Sequence, residues 1–158
     1  MAIRLDIGSG NDPRDGFTGV DLFAEGEGIV KAPMNALPYP DESVDEIYSS
    51  HALEHIGKYE VIPTLHEWWR VLKFDGRLTI EVPDLTWVCK NWLNRQTNDW
   101  HMDAIFGDQS TLGQYHKTGF TRNIMYRYLE EAGFTHREVS SAIVFSHEQD
   151  CFIFTLTK

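Results

Sequence analysis

The sequence predicts an α/β fold built on a mostly parallel sheet, with an antiparallel C-terminal edge hairpin and with its first two crossovers reduced to loops. Three observations predict it. Short apolar runs bounded by Gly, Pro or Asp recur through the first fifty residues; helical and strand periodicities then alternate; and two strand-like runs around FSHEQD close the chain.

Taken in order, Ile3 to Ile7 and Thr18 to Leu22 read as strands, and GIVKA after Gly28 as a third. A parallel crossover usually takes a dozen residues or more. The segments NDPRDGFTG and FAEGEGI are too short and lack helical periodicity, so both connections are loops. The turn-rich NALPYPDESVD leads into VDEIYSS, the fourth strand. From Lys58 to Lys73, Ile62, Leu65, Trp69 and Leu72 recur at helical spacing, with Pro63 near the start, and Asp75-Gly76 stops the helix. RLTIEV alternates Leu78, Ile80 and Val82 as a strand. Asp84 to Leu93 is helical, followed by a less regular tryptophan-containing stretch to Phe106. Thr121 caps a helix whose apolar face is Ile124, Met125, Tyr128, Leu129 and Ala132, closed by Gly133. Arg137 to Ile143 and Cys151 to Thr157 form the hairpin.

At 158 residues the chain reads as one domain, 1–158, and its 42% hydrophobic content with five tryptophans supplies a single buried core. A formal net charge of -10 argues against a surface that tracks phosphates, so no nucleic acid is expected as a partner. No apolar run approaches the roughly eighteen residues of a membrane span, and no basic segment followed by an apolar one opens the chain. The expectation is a soluble cytoplasmic protein without membrane association. Cys89 and Cys151 lie far apart with no CxxC context, which reads as two buried free thiols, and no metal site is assigned.

The stretch LDIGSGNDPRDGFTGVDL carries a strand ending in Gly-x-Gly and a second strand ending in Asp. Glycines let a ligand approach the backbone, and a carboxylate can accept from two neighbouring ribose hydroxyls. A dinucleotide site wants a third glycine three positions after the second, to aim a helix at pyrophosphate. Pro13 stands there, which disfavours a nicotinamide-linked reductase and favours a nucleoside cofactor without phosphates, such as S-adenosylmethionine.

With LDIGSG, GVDL, LPYPDESVDEIYSSHALEHI and EWWRVLKFDGRLTIEVPD in this order, the chain resembles the class I S-adenosylmethionine-dependent methyltransferases, in particular small ones with a Leu-Glu-His element after the fourth strand. The resemblance covers Leu5 to Asp84, and GFTRNIMYRYLEEAGF more loosely. It implies a Rossmann-like sheet and S-adenosylmethionine as cofactor. It also implies that Asp6, Gly8, Ser9 and Gly10 wrap the methionine end, and that Asp21, with Leu22 beside it, takes the ribose. Met34 and Asn35 fall where the adenine lies, with Pro33 where an acid is common. Ser50 and His51 line the cleft from the carboxyl edge of the sheet. Glu54 and His55 read as braces of the loop. The family normally places a helix between the glycines and the ribose acid; its absence here thins the cover on one side of the sheet, a surface for a homodimer.

Methyl transfer is an in-line displacement that depends on positioning, and a hydroxyl acceptor gains from a general base. The loop FGDQSTLGQYHKTGFT should cover the acceptor. Its His116 is a candidate base or a loop hydrogen bonder, and Tyr115 and Lys117 are candidate substrate contacts. The Asn/Asp-Pro-Pro-aromatic motif that serves amide and exocyclic nitrogens is absent, with VPDL in its place. The expected activity is therefore methyl transfer to an oxygen of a small molecule or saccharide. The alternative is a cofactor-binding subunit or regulator without catalysis.

Overall fold

Four parallel strands form the half of the sheet that carries the glycine loop: β1 (Arg4–Ile7), β2 (Thr18–Asp21), β3 (Ile29–Lys31) and β4 (Val44–Ser50). The computed structural model describes residues 2–95, 100–134, 136–142 and 151–158. β5 (Leu72–Pro83), β6 (His136–Ala142) and β7 (Cys151–Thr157) complete a seven-stranded sheet of order β3-β2-β1-β4-β5-β7-β6. β7 enters antiparallel between β5 and β6, so the hairpin lies at the edge as expected while the last strand itself is internal. The connecting FSHEQD and Ile143 lie outside the described residues.

No helix interrupts 8–17 or 22–28, in agreement with the loop crossovers read from the sequence. The first loop nevertheless covers the sheet. Ser9 and Pro13 lie against Gly19, where a Cβ would meet Ser9 Oγ at 2.6 Å, and the Arg14 guanidinium sits 3.7 Å over the Tyr48 ring. On the opposite face Leu5, Ile7 and Val20 are buried to 1% or less exposure, in the core shared with α1. The loop lies on the face of Asp6, Gly19 and Tyr48, and the side-chain-free position on β2 lets it lie flat; it takes the place of a helix on the face that the sequence reading offers to a homodimer.

α1 (Lys58–Val71) starts with the Glu60 carboxylate accepting from the Gly57 N–H at 2.8 Å, which satisfies one of the donors a helix start leaves open. It buries Val61, Thr64, Leu65, Trp68 and Val71. Of the positions that recur at helical spacing in the sequence, Ile62, Leu65, Trp69 and Leu72, only Leu65 belongs to this buried set. Trp69 instead packs edge-on against Phe134, on the side where α4 lies (ring centroids 4.9 Å). Pro63 is the sixth helical residue and so costs one hydrogen bond past the first turn. The helix ends at Val71, before Asp75-Gly76, because Leu72 turns extended and pairs with Val44, gaining burial that a further helical turn would forfeit.

α2 (Leu85–Arg95) begins where Asp84 Oδ1 accepts from Thr86 and Trp87 N–H at 2.9 and 3.2 Å. α3 (Trp100–Phe106) is a regular helix where the sequence suggested an irregular stretch. Local periodicity is poor there; aromatic packing across elements supplies the order, Trp100 against Trp87 and His101 stacked on Trp92. α4 (Arg122–Glu131) follows the capping residue read from the sequence, with Ile124 N–H donating to Thr121 Oγ1 at 3.3 Å. Thr121→Ala is expected to lower stability by about 0.5–1 kcal/mol in urea unfolding, the low part of the range for such caps given the long bond. An unchanged midpoint would show that this cap contributes nothing. Among the described residues no helix is long and apolar enough to cross a membrane.

Candidate functional site

A cleft of about 770 Å³ opens at the carboxyl edge of the parallel strands. Its floor is the glycine loop. Gly8 has φ +75°, and a Cβ there would meet the Ala52 Cβ at 2.3 Å, so this position brings the end of β1 against the segment that leaves β4. Gly10 has φ +58° and open space where a Cβ would stand, which leaves its backbone bare toward the cleft.

Asp21 organises the next part. Its Oδ1 accepts from Phe23 and Ala24 N–H at 2.7 and 2.9 Å, and its Oδ2 accepts from Gly10 N–H at 3.0 Å. One carboxylate thus ties the glycine loop to the loop after β2. A carboxylate offers about four lone-pair sites, and three are filled, leaving one on Oδ2. Leu22 lines the cleft beside it. On the far side, Pro33, Met34 and Asn35 follow β3. They are placed by α1: Trp68 Nε1 donates to the Met34 carbonyl at 2.9 Å, and Leu37 N–H donates to Glu67 Oε1 at 2.7 Å.

The opposite wall is a cluster of histidines. His51 has φ +51°, a left-handed conformation that histidine adopts more readily than most residues and that is stored at sites the surroundings over-determine. Its N–H donates to the Glu81 carbonyl at 3.0 Å, and its Nδ1 lies 3.1 Å from Glu54 Oε1. Glu54 is 1% exposed and belongs to a 3₁₀ turn, Leu53–His55. Its backbone carbonyl accepts from Lys117 and Thr118 N–H at 2.7 and 3.1 Å, so the Leu-Glu-His element does brace the long loop. The same element also lends His55 to the cleft wall, a role the sequence did not separate from bracing.

His116 lies on that loop, inside the cleft. Its Nδ1 is 3.1 Å from the Ala104 carbonyl. A carbonyl oxygen can only accept, so Nδ1 carries the proton and Nε2 of the neutral ring keeps its lone pair. Burial holds the His116 pKa below the ordinary imidazole value of 6.5, against the pull of the Glu54 carboxylate, and the nearby His55 adds to the lowering. The ring meets that of His55 edge to face, centroids 4.8 Å apart.

The structure brings together Gly8, Gly10, Asp21, Leu22, Met34, Asn35, His51, His116 and Lys117 around one cleft. It sets Asp6, Ser9 and Ser50 apart, in a separate depression of about 360 Å³ that shares Gly8 and is lined also by Arg14 and Tyr48. Asp6 there accepts from Arg14 N–H at 2.8 Å, and burial raises its pKa while that hydrogen bond works the other way. The short loop that turns back over β1 is the cause. Tyr115 does not line the cleft; its carbonyl lies 3.3 Å from His55 Nδ1. Sequence reasoning missed Phe23 and Leu112, 68% and 86% exposed at the cleft mouth, with Phe23 against Gly113. The available signal was a large apolar residue in each of two polar loops, DLFAEG and STLGQ.

Residues 14–80 match the family model of a methyltransferase domain. No curated protein matches the chain by sequence. Among solved structures, a SAM-dependent methyltransferase from Archaeoglobus fulgidus is 18% identical, with 99% of this chain and 86% of that chain covered and a TM-score of 0.69. One from Methanosarcina mazei is 18% identical, covering 98% and 91%, with a TM-score of 0.70. The Burkholderia thailandensis 1,6-didemethyltoxoflavin-N1-methyltransferase, solved with 1,6-didemethyltoxoflavin and S-adenosylhomocysteine, is 19% identical over 99% and 71%, with a TM-score of 0.70. These likenesses establish a shared fold, including the part of the sheet beyond residue 80.

Proposed function

We propose that this chain is a class I S-adenosylmethionine-dependent methyltransferase that moves the cofactor's methyl group to an oxygen of a small molecule or saccharide, with His116 as general base. The observation that carries the reading is the two-sided cleft. Gly8, Gly10, Asp21, Leu22, Met34 and Asn35 on one wall suit a nucleoside with an amino-acid tail, and His116 faces them from the other. The bare Gly10 backbone allows the cofactor to lie close. Asp21 would offer its open lone pair to a ribose hydroxyl, with its other three sites holding the two loops in place. Met34 and Asn35 would line the adenine end. Asp6, Ser9 and Ser50 then act from behind the glycine loop, shaping it rather than touching the cofactor.

When bound, the cofactor supplies an electrophilic methyl on a sulfonium. The protein's work is to hold the acceptor oxygen in line with it and to accept the acceptor's proton. His116 Nε2 is the group with a fixed lone pair for that proton. An oxygen acceptor fits the end of β5, where Asp84 Oδ1 caps α2, its Oδ2 lies 3.9 Å from Arg122 Nε, and the residue does not line the cleft. A hydroxyl-rich acceptor fits the mouth, where Asp103, Asp108, Thr111, Gln114 and Lys117 provide hydrogen-bonding groups beside an aromatic platform, Phe23.

Calorimetry with S-adenosylhomocysteine and transfer of a labelled methyl group to a panel of hydroxylated small molecules and saccharides test the reading. One-to-one binding with label in an oxygen ether or ester is the expected result. Absence of cofactor binding overturns it. Binding with no transfer across the panel favours the cofactor-binding subunit instead.

A further inference from the structure

We propose that Glu54, His55 and His116 form a binding site for a divalent transition-metal ion of the Zn²⁺ and Fe²⁺ class. Two imidazoles and one carboxylate, with open positions toward a cleft, are a donor set that such ions take. One ligand atom from each residue lies within 4.8 Å of the others. Metal–nitrogen and metal–oxygen bonds of about 2.0–2.2 Å place donors roughly 3–4 Å apart, so a cation would draw the three side chains in by about an ångström.

The surroundings of the three residues carry the proposal further than their proximity. Metal-bound histidines nearly always donate their other ring N–H to a carbonyl or carboxylate, which fixes the tautomer and the ring direction. Both histidines have this support: His116 Nδ1 on the Ala104 carbonyl at 3.1 Å, and His55 Nδ1 on the Tyr115 carbonyl at 3.3 Å. Each thereby keeps Nε2 for a cation. The carboxylate has its counterpart, with Glu54 Oε1 against His51 Nδ1 at 3.1 Å. Its other oxygen, Oε2, is fully buried and has no hydrogen-bond partner among the described residues. An unpartnered carboxylate oxygen out of water is costly, and a cation relieves that cost directly. The neighbouring group His51, Glu81 and Cys151 lacks this feature, since Glu81 Oε2 already accepts from Tyr48 and Ser50 hydroxyls at 3.0 Å.

The spacing in the sequence hides the site. Glu54 and His55 are adjacent, and His116 joins them only because the long loop docks on the Leu-Glu-His turn through the Glu54 carbonyl. A cation on His116 Nε2 takes up the lone pair that the general-base role requires, so metal binding and base catalysis exclude one another at this residue.

Co²⁺ titration of the protein without cofactor, followed by visible absorption and by calorimetry, tests the proposal independently of methyl transfer. Saturable one-to-one binding with the intense absorption of a four- or five-coordinate ion is expected, displaced by Zn²⁺. Glu54→Gln, His55→Asn and His116→Asn should each weaken it about tenfold or more. His66→Asn, on the exposed side of α1, should leave it unchanged. Should Glu54→Gln fail to fold by circular dichroism, His55→Asn decides, because its side chain is only half-buried. No saturable binding at millimolar Co²⁺, or equal binding in the wild type and the three variants, overturns the site.

Discussion

His116→Asn is expected to lower methyl turnover by about 10²-fold or more while leaving S-adenosylhomocysteine affinity nearly intact. The asparagine amide can still donate to the Ala104 carbonyl as Nδ1 does, so the loop keeps its anchor and only the lone pair at Nε2 is lost. The pH dependence has a defined sign. The active form is the neutral ring, and burial places its pKa below 6.5, so the wild-type rate should climb on the acid side of pH 6.5 and be level at pH 7. The variant should lack that limb. Stability follows the same linkage: between the lowered folded pKa and the ordinary value the unfolded chain binds more protons. This contribution is therefore complete above about pH 6.5 and is lost as pH falls through the window. Turnover that survives the substitution while cofactor binding collapses would move His116 from the acceptor side to the cofactor side.

Asp21→Ala should weaken S-adenosylhomocysteine by roughly 1.5–3 kcal/mol, or roughly 10- to 150-fold, the range for hydrogen bonds to a charged group. Two losses combine. The ribose loses its acceptor, and the N–H groups of Gly10, Phe23 and Ala24 lose theirs, so the glycine loop and the loop after β2 are no longer tied together. Asp21→Asn separates them: one oxygen remains to accept while the charge and the second oxygen are gone. An intermediate affinity is the expected result from calorimetry. Full affinity in the alanine variant would take Asp21 out of the cofactor site.

The order of strands and helices was legible in the chain because each element carries its own period and its own stop: the alternation of RLTIEV, the Thr121 cap, Gly133. The loop crossovers were legible as well, since chain length between Ile7 and Thr18 forbids a packed helix. So was one wall of the cleft, because the glycines and Asp21 sit at the ends of adjacent parallel strands, and strand order alone brings them together.

Tertiary structure decided the rest. Which side of α1 faces inward, Trp68 rather than Trp69, depends on where α4 lands. Whether α3 is regular depends on tryptophans from α2. The opposite wall of the cleft depends on a loop of weak local preference docking on a buried glutamate. His55 and His116 are separated by sixty residues, and nothing periodic links them. Their meeting is fixed by the backbone bonds of Lys117 and Thr118 to the Glu54 carbonyl, contacts that any residue type can make and that therefore leave no mark in the sequence.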